Sequence, residues 1–387
     1  MEQKITTNEV KSDSPIDYDR LIDEFGSKRI DQNDLELLNQ VIEKRQLSAK
    51  KEKYMHYFNN GIFFSHRDFT ELLKNYLNGQ SFYIYTGRGP SSISMHIGHL
   101  IPFQMAQILQ ELFDVIVVIQ LTDDEKFYCD KQDRNLLDFT NMANENIKDI
   151  IACGFDSQKT FIFTNTGYIQ HLFPTVIQIQ KLINFNVAKA IFGVDNRSSL
   201  GKIAFPAMQI APSFSICFPH LFPTNKPIQC LIPCAIDQDP YFRLTRDLAP
   251  RMKYLKPALL HAKFLPSLQG LNGKMSSSIP DSVIFLSDSS KIISKKIKKS
   301  FSGGGASIEE HKSRGANLDV DIPINYLNFF LTNREEYLKI KESYKKGEIS
   351  TGEVKNRLIV IINDIIDDHK KIREIIKSDI IQMYMRI

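Results

Sequence analysis

The sequence predicts an α/β protein: a doubly wound parallel sheet with a helical N-terminal extension before it and an all-α domain after it. Two observations carry that prediction. Short apolar runs rich in β-branched and aromatic residues recur at 82–86 (FYIYT), 115–121 (VIVVIQL), 160–164 (TFIFT), 228–233 (IQCLIP) and 258–264 (ALLHAKF). Segments long enough for crossover helices, such as 95–112 and 134–152, lie between them. Continuously apolar strands alternating with helices form parallel sheets covered on both faces.

Outside that stretch the pattern is helical. Leu35, Leu38, Val41 and Ile42 share one face in residues 1–76. Val354, Leu358, Ile361, Ile362, Ile365 and Ile366 keep helical spacing in residues 287–387. The sheet is therefore expected within 77–286. A chain of 387 residues has room for two or three domains at roughly 150 residues each.

Composition removes several classes. Hydrophobic residues at 42% and charged ones at 24% exclude a disordered or collagen-like chain. No apolar run approaches the roughly 20 residues of a spanning helix, so no membrane partner is expected. The N-terminal MEQKITTNEVKSDSP is polar and carries acids, unlike a signal or transit peptide. The five cysteines form no CxxC pair. That argues against a disulfide framework or structural zinc and fits a reducing, cytoplasmic setting. The net charge of +4 permits nucleic-acid binding without demanding it.

In such sheets ligands sit beyond the carboxyl ends of the strands, at a switch point. The loops after 86, 121, 233 and 265 are the places to search. The first reads YTGRGPSSISMHIGHL over 85–100. A strand is expected to end at Thr86, with Gly87 and Gly89 making a tight turn or a close backbone approach. His96-Ile97-Gly98-His99 then opens a helix, placing two imidazoles three residues apart on one face. Helix N-termini favour anions. Imidazole donors there suit phosphate oxygens that gain charge during displacement at phosphorus, and Gly98 leaves room for a flat base. No GxxxxGK[ST] occurs, which counts against a P-loop enzyme.

After the last expected strand comes LNGKMSSSIP. Lys274 is a mobile cation, and Ser276, Ser277 and Ser278 add neutral donors for phosphate oxygens. A lysine followed by serines is ordinary loop composition, so the pairing with HIGH carries the weight. HIGH after the first strand and KMSxS after the last resemble the class I aminoacyl-tRNA synthetases. Serine at 277 departs from the usual KMSKS. The eukaryotic and archaeal tryptophanyl branch resembles this chain in lacking that lysine. QLTDDEKF at 120–127, FPAMQIAPSFS at 205–215 and IPCAIDQDPYFRLTRD at 232–247 look like that same branch.

The resemblance implies a Rossmann-like catalytic domain, an ATP substrate carrying its own Mg2+, L-tryptophan and tRNA(Trp) as further substrates, and a homodimer. It implies Tyr85 and Gln120 against the indole nitrogen, with Glu125, Gln209 and Gln238 near the substrate ammonium. Indole N–H only donates, so an amide oxygen at Gln120 suits it better than it suits a phenol. ATP would meet Gly87, Gly89, His96, Gly98, His99, Lys126, Ala235, Asp237, Lys274, Met275 and Ser276. Catalysis would fall to His96, His99, Lys126, Lys274 and Ser276, with Lys126 replacing the missing second lysine. Asp123 and Asp124 are not expected to form a metal pair, because neighbours on a strand point to opposite faces.

The Phe- and Pro-rich segment 155–225 is the expected dimer-forming insertion. The helical tail would read the anticodon. Lys291, Lys295, Lys296, Lys298 and Lys299 offer phosphate contacts, and Asp319, Asp321 and Tyr326 are weak base-reading candidates. The rival functions are a tyrosyl enzyme, a small-molecule nucleotidylyltransferase and a non-catalytic RNA-binding copy. KMSSS and the helical tail count against the second, and the intact histidine and lysine set counts against the third.

Overall fold

A computed structural model describes residues 3–6, 10–12, 15–223, 226–274, 282–305 and 307–386. The strands in chain order are β1 (Gln3–Ile5), β2 (Val10–Ser12), β3 (Lys28–Arg29), β4 (Phe63–Arg67), β5 (Phe82–Arg88), β6 (Val117–Leu121), β7 (Thr160–Thr164), β8 (Gln229–Ala235), β9 (Ala258–Ala262), β10 (Pro266–Ser267) and β11 (Gly270–Lys274). Seven of them form one sheet in the order β3-β4-β9-β8-β5-β6-β7. Strands β5 to β9 pair in parallel, at the five apolar runs expected from sequence. β1 with β2, and β10 with β11, are separate antiparallel pairs.

The order places the switch point between β5 and β8. The chain runs from β5 outward to β7, then returns to build β8 and β9 on the other side. The strands flanking that pair, β6 and β9, are buried throughout.

The first 76 residues do more than form helices. β4 extends the sheet antiparallel to β9, and β3 adds antiparallel to β4. β4 escapes a periodicity search because its sequence, FFSHR, puts Ser65 and His66 at buried positions. Their polarity is absorbed internally. Ser65 Oγ lies 2.9 Å from His261 Nδ1 and His66 Nε2 3.4 Å from Asp34.

The C-terminal helices rest on the same apolar core as the sheet, through Tyr326, Leu327, Leu358, Ile362 and Ile366. Polar bonds reinforce the seam. Arg373 and His369, on the helix Thr351–Ile375, both reach Asp149 Oδ1, at 2.7 and 3.2 Å. Arg373 also holds Glu145 at 2.8 Å. No described helix is long and apolar enough to cross a membrane.

Asp321 and Tyr326 do not face solvent. Asp321 is fully buried as the N-cap of the helix Ile322–Phe330, accepting from Ile324 N–H, Gly303 N–H and Tyr344 OH at 2.8, 2.9 and 3.0 Å. Tyr326 is buried and donates to the Pro266 carbonyl at 2.8 Å. Capping and packing use both residues, which removes them as base readers. Asp319 is exposed.

Candidate active site

A cavity of about 600 Å³ lies beyond the carboxyl ends of β5, β6, β8 and β9. Four stretches feed it: 85–89 at the end of β5, Gln120 and Thr122 at the end of β6, 232–235 with Asp237 and Gln238 from β8, and 262–265 at the end of β9. The helix Ile97–Phe113 points its N-terminus in, with His96 as N-cap. Pro102 within that helix lacks the N–H that would bond the Gly98 carbonyl. Tyr85, Gly87, Gly89, His96, Gly98, His99, Gln120, Glu125, Lys126, Gln209, Ala235, Asp237 and Gln238 all line the cavity. The two glycines behave differently from the expected turn, since β5 continues to Arg88. A Cβ at Gly87 would sit 2.7 Å from the Gln120 carbonyl oxygen of the neighbouring strand. One at Gly89 would overlap Lys126 Cε.

At one end the cavity is lined by an apolar slot with a few aligned polar atoms. The Tyr85 ring meets Phe242 edge-on, with centroids 5.9 Å apart. Its hydroxyl lies 2.5 Å from Gln120 Oε1 and 2.6 Å from the Gln209 carbonyl. Glu125 accepts from Thr122 Oγ1 at 2.7 Å and from Lys126 Nζ at 2.8 Å. Gln209 Nε2 donates to Gln238 Oε1 at 3.2 Å.

At the other end the two imidazoles stack on each other. His96 is 3% exposed. Burial, helped by the nearby Arg88 charge, pulls its pKa down to about 3, so the ring is neutral at physiological pH. His96 backbone N–H points at His99 Nδ1, 3.4 Å away.

Lys274 ends β11 in a hairpin with β10. Met275, Ser276, Ser277 and Ser278 lie outside the described residues. Asp123 and Asp124 are not on a strand. Both lie in the first turn of the helix Asp123–Tyr128, where their carboxylates still diverge. Asp123 accepts from Thr166, and Asp124 Oδ1 from Asn165 Nδ2 at 2.7 Å. Among the described residues no group of three or more His, Cys, Asp or Glu is placed to hold a metal.

Sequence reading passed over Arg88, Asn146 and Lys263. Arg88 looked like part of a glycine turn. It is a buried cation lining the cavity, with Nε donating to Asn146 Oδ1 at 2.6 Å. Burial lowers its pKa to about 10, which leaves it charged at neutral pH. Asn146 also donates to the carbonyls of Ser92 and Ile93, at 3.0 Å each, and so steadies the loop before HIGH. No motif flags Asn146, because it sits mid-helix and meets the loop only in three dimensions. Lys263 follows β9 directly and lines the same cavity.

Behind the cavity, Ser65, His261 and Asp239 line up like a nucleophile relay, with His261 Nε2 3.1 Å from Asp239 Oδ1. All three are fully buried, so no substrate can reach the serine. Burial alone would raise the Asp239 pKa, but bonds from His261 and Arg67 overcome it and hold the group at about 2. The cluster pins the start of the helix Asp239–Leu248, directly after AIDQ.

With this geometry in place, the comparisons with known proteins are specific. The family described as tRNA synthetases class I (W and Y) matches residues 77–367. The chain belongs to this family. Class I synthetases use ATP. The chain is 49% identical over 383 residues to the cytoplasmic tryptophan–tRNA ligase of Homo sapiens, covering 98% of this chain and 79% of the relative. It is 46% identical over 379 residues to the cytoplasmic tryptophan–tRNA ligase of Arabidopsis thaliana, covering 97% and 92%. The tryptophanyl-tRNA synthetase of Encephalitozoon cuniculi, solved bound to tryptophan, superposes with a TM-score of 0.87 at 38% identity, covering 97% of this chain and 99% of that one. In this synthetase family the doubly wound sheet and HIGH-bearing helix are therefore the expected frame, and the chain has both.

Proposed function

We propose that this protein charges tRNA(Trp) with L-tryptophan. The observation that carries the reading is the Tyr85–Gln120 pair: a buried acceptor in an apolar slot, on the same cavity as the HIGH helix tip. Near-full-length relatives named tryptophan–tRNA ligase, cytoplasmic support it and support a cytoplasmic location.

In the first step the tryptophan carboxylate attacks the α-phosphorus of ATP in line. The bond to the β-phosphate oxygen breaks, leaving tryptophanyl-adenylate and pyrophosphate. In the second, a terminal ribose hydroxyl of tRNA attacks the activated carbonyl and releases AMP. No covalent enzyme intermediate is needed; positioning and charge stabilisation suffice. Tyr85 and Gln120 take the ring N–H. Glu125, Gln209 and Gln238 take the ammonium. Neutral His96, with His99, Gly98, Ala235 and Asp237, meets the nucleotide. Lys126, Lys274 and Ser276 meet the departing phosphates. Mg2+ would arrive on the triphosphate, held mostly by phosphate oxygens and water.

Residues 1–76 act as the N-terminal extension, 77–286 as the catalytic domain and 287–387 as the anticodon-binding domain. Lys291, Lys295, Lys298 and Lys299 are exposed on the helix Ser290–Lys299 and suit tRNA phosphates. The working unit is a homodimer. Ile169, Phe173 and Ile177 lie one turn apart on the helix Ile169–Leu182, inside 155–225, and are 39%, 51% and 48% exposed. Such a stripe is expected to be covered in the assembly.

The deciding experiment is ATP–pyrophosphate exchange with tryptophan and, separately, tyrosine, followed by charging of tRNA(Trp). Tryptophan should drive exchange and tyrosine should not. Lys274→Ala should slow exchange about a hundredfold while tryptophan still binds. Undiminished exchange in that variant removes the assigned role.

A further inference from the structure

The polar side chains beneath the indole slot form a directed chain. Asn165 follows β7, is 1% exposed, and donates through Nδ2 to Asp124 Oδ1 at 2.7 Å. An ionised carboxylate can only accept, so the amide of Asn165 must turn its nitrogen toward Asp124. That leaves Asn165 Oδ1 facing Gln120, whose Nε2 donates to it at 2.7 Å. The second hydrogen of Nε2 goes to the Met208 carbonyl at 3.1 Å. Both donors of Gln120 are thereby consumed on the side away from the cavity. Its Oε1 is left beside the Tyr85 hydroxyl at 2.5 Å. Tyr85 has another acceptor, the Gln209 carbonyl at 2.6 Å, so its one proton can leave Gln120 Oε1 available to a ligand.

Polarity here is a matter of half a turn. A reversed Gln120 amide would present NH2 to the cavity and meet a ring N–H donor to donor. Side-chain amides are nearly symmetric in shape, so packing alone cannot choose between the two orientations; hydrogen-bond partners must. Burial raises the Asp124 pKa to about 6, which leaves the carboxyl mostly ionised at pH 7.5 and the direction defined.

We propose that Asn165, oriented by Asp124, is a specificity-determining positioning residue: it locks the Gln120 amide with its oxygen toward the substrate ring and so selects a ring that donates. The proposal rests on the reading of Gln120 as the indole partner. Neither Asn165 nor Asp124 touches the substrate in this account; both act through Gln120.

The test compares kcat/KM in ATP–pyrophosphate exchange for tryptophan and for its isostere carrying sulfur in place of the ring N–H. The unaltered enzyme should favour tryptophan strongly, because a site built around a hydrogen bond rejects a ligand that lacks it. Asn165→Leu, which removes the acceptor facing Gln120 Nε2, should shrink that preference by about tenfold or more, with the KM for ATP unchanged. Asn165→Asp combined with Asp124→Asn reverses the lower pair while keeping an acceptor toward Gln120, and should keep the preference that Asn165→Leu loses. This rescue is something a merely structural role would not produce. Gln120→Leu separates the two levels. If it abolishes the preference while Asn165→Leu leaves it intact, the lock is wrong and the slot is right. If Gln120→Leu also leaves the preference intact, the indole reading itself fails and the lock falls with it.

Discussion

The imidazoles of His96 and His99 stack with ring centroids 3.4 Å apart and planes 22° from parallel. This contact could not form readily between two imidazolium ions. It agrees with a His96 that burial keeps neutral down to a pKa of about 3. His96 therefore acts as a neutral dipole, and among the described residues Arg88, Lys126 and Lys263 bring positive charge to the cavity.

The depressed His96 pKa has a stability consequence. In the unfolded chain the ring takes a proton near 6.5, but in the folded protein only near 3. Between those values the unfolded chain binds the extra proton. This contribution to stability is full above 6.5 and is lost as pH falls toward 3. Denaturant midpoints measured from pH 7.5 to 5 should fall less steeply in His96→Gln than in the unaltered protein. Parallel curves would rule the assignment out.

Gly87→Ala and Gly89→Ala should fail in different ways. The Cβ at 87 meets backbone of β6, which cannot yield without moving the strand. A loss of roughly 1–3 kcal/mol in unfolding free energy is expected. The Cβ at 89 meets the flexible ends of Lys126 and Glu125, which can swing away. That variant should unfold nearly as the parent does but lose exchange activity. Melting temperatures and exchange rates, measured together, check both.

Asp321→Ala should weaken the fold and leave tRNA affinity alone. The change leaves Ile324 N–H and Gly303 N–H without their acceptor and takes one partner from Tyr344 OH, which keeps Thr351 Oγ1 at 2.9 Å. The expected cost is on the order of 3 kcal/mol. A filter-binding assay at a temperature where the variant is folded should give the parent dissociation constant. A weakened one would return Asp321 to the tRNA surface.

The five lysines of the helix Ser290–Lys299 should divide four to one. Lys296 is only 11% exposed in its side chain, pairs with Asp288 at 2.7 Å and lies over the Phe285 ring. Phe285 in turn bridges the backbone of His96. Neutralising Lys291, Lys295, Lys298 and Lys299 should reduce the salt dependence of tRNA binding, by about one in log–log slope for each phosphate left without its cation, with exchange unchanged. Lys296→Gln should instead lower stability or exchange. Identical behaviour of all five would refute the division.

If the proposed dimer covers the exposed stripe of Ile169, Phe173 and Ile177, Phe173→Asp should give monomer in sedimentation analysis, because the charge would be buried unpaired in that interface. A persistent dimer would place the interface elsewhere.

Much of the frame was legible from local pattern. The strands at 82, 117, 160, 229 and 258 are buried on both faces, so their apolar runs announce them. HIGH was readable because it needs neighbours in sequence: a strand end, a turn and a helix start. What the chain alone could not reveal depends on who meets whom across the fold. β4 was hidden because a polar residue at a buried position is stabilised only by distant partners, here His261 and Asp34. Asn146 and Asn165 carry no motif, and Arg88 passed for a turn residue, yet tertiary packing brings Arg88 to the cavity wall and sets the two asparagines behind it, bonded to Arg88 and Gln120. Asp321 looked like a free acid until folding buried it under a helix tip. Backbone pattern is a short-range property, so sequence determined it; the direction of each buried hydrogen bond is set by partners tens of residues away, so only the tertiary structure could decide it.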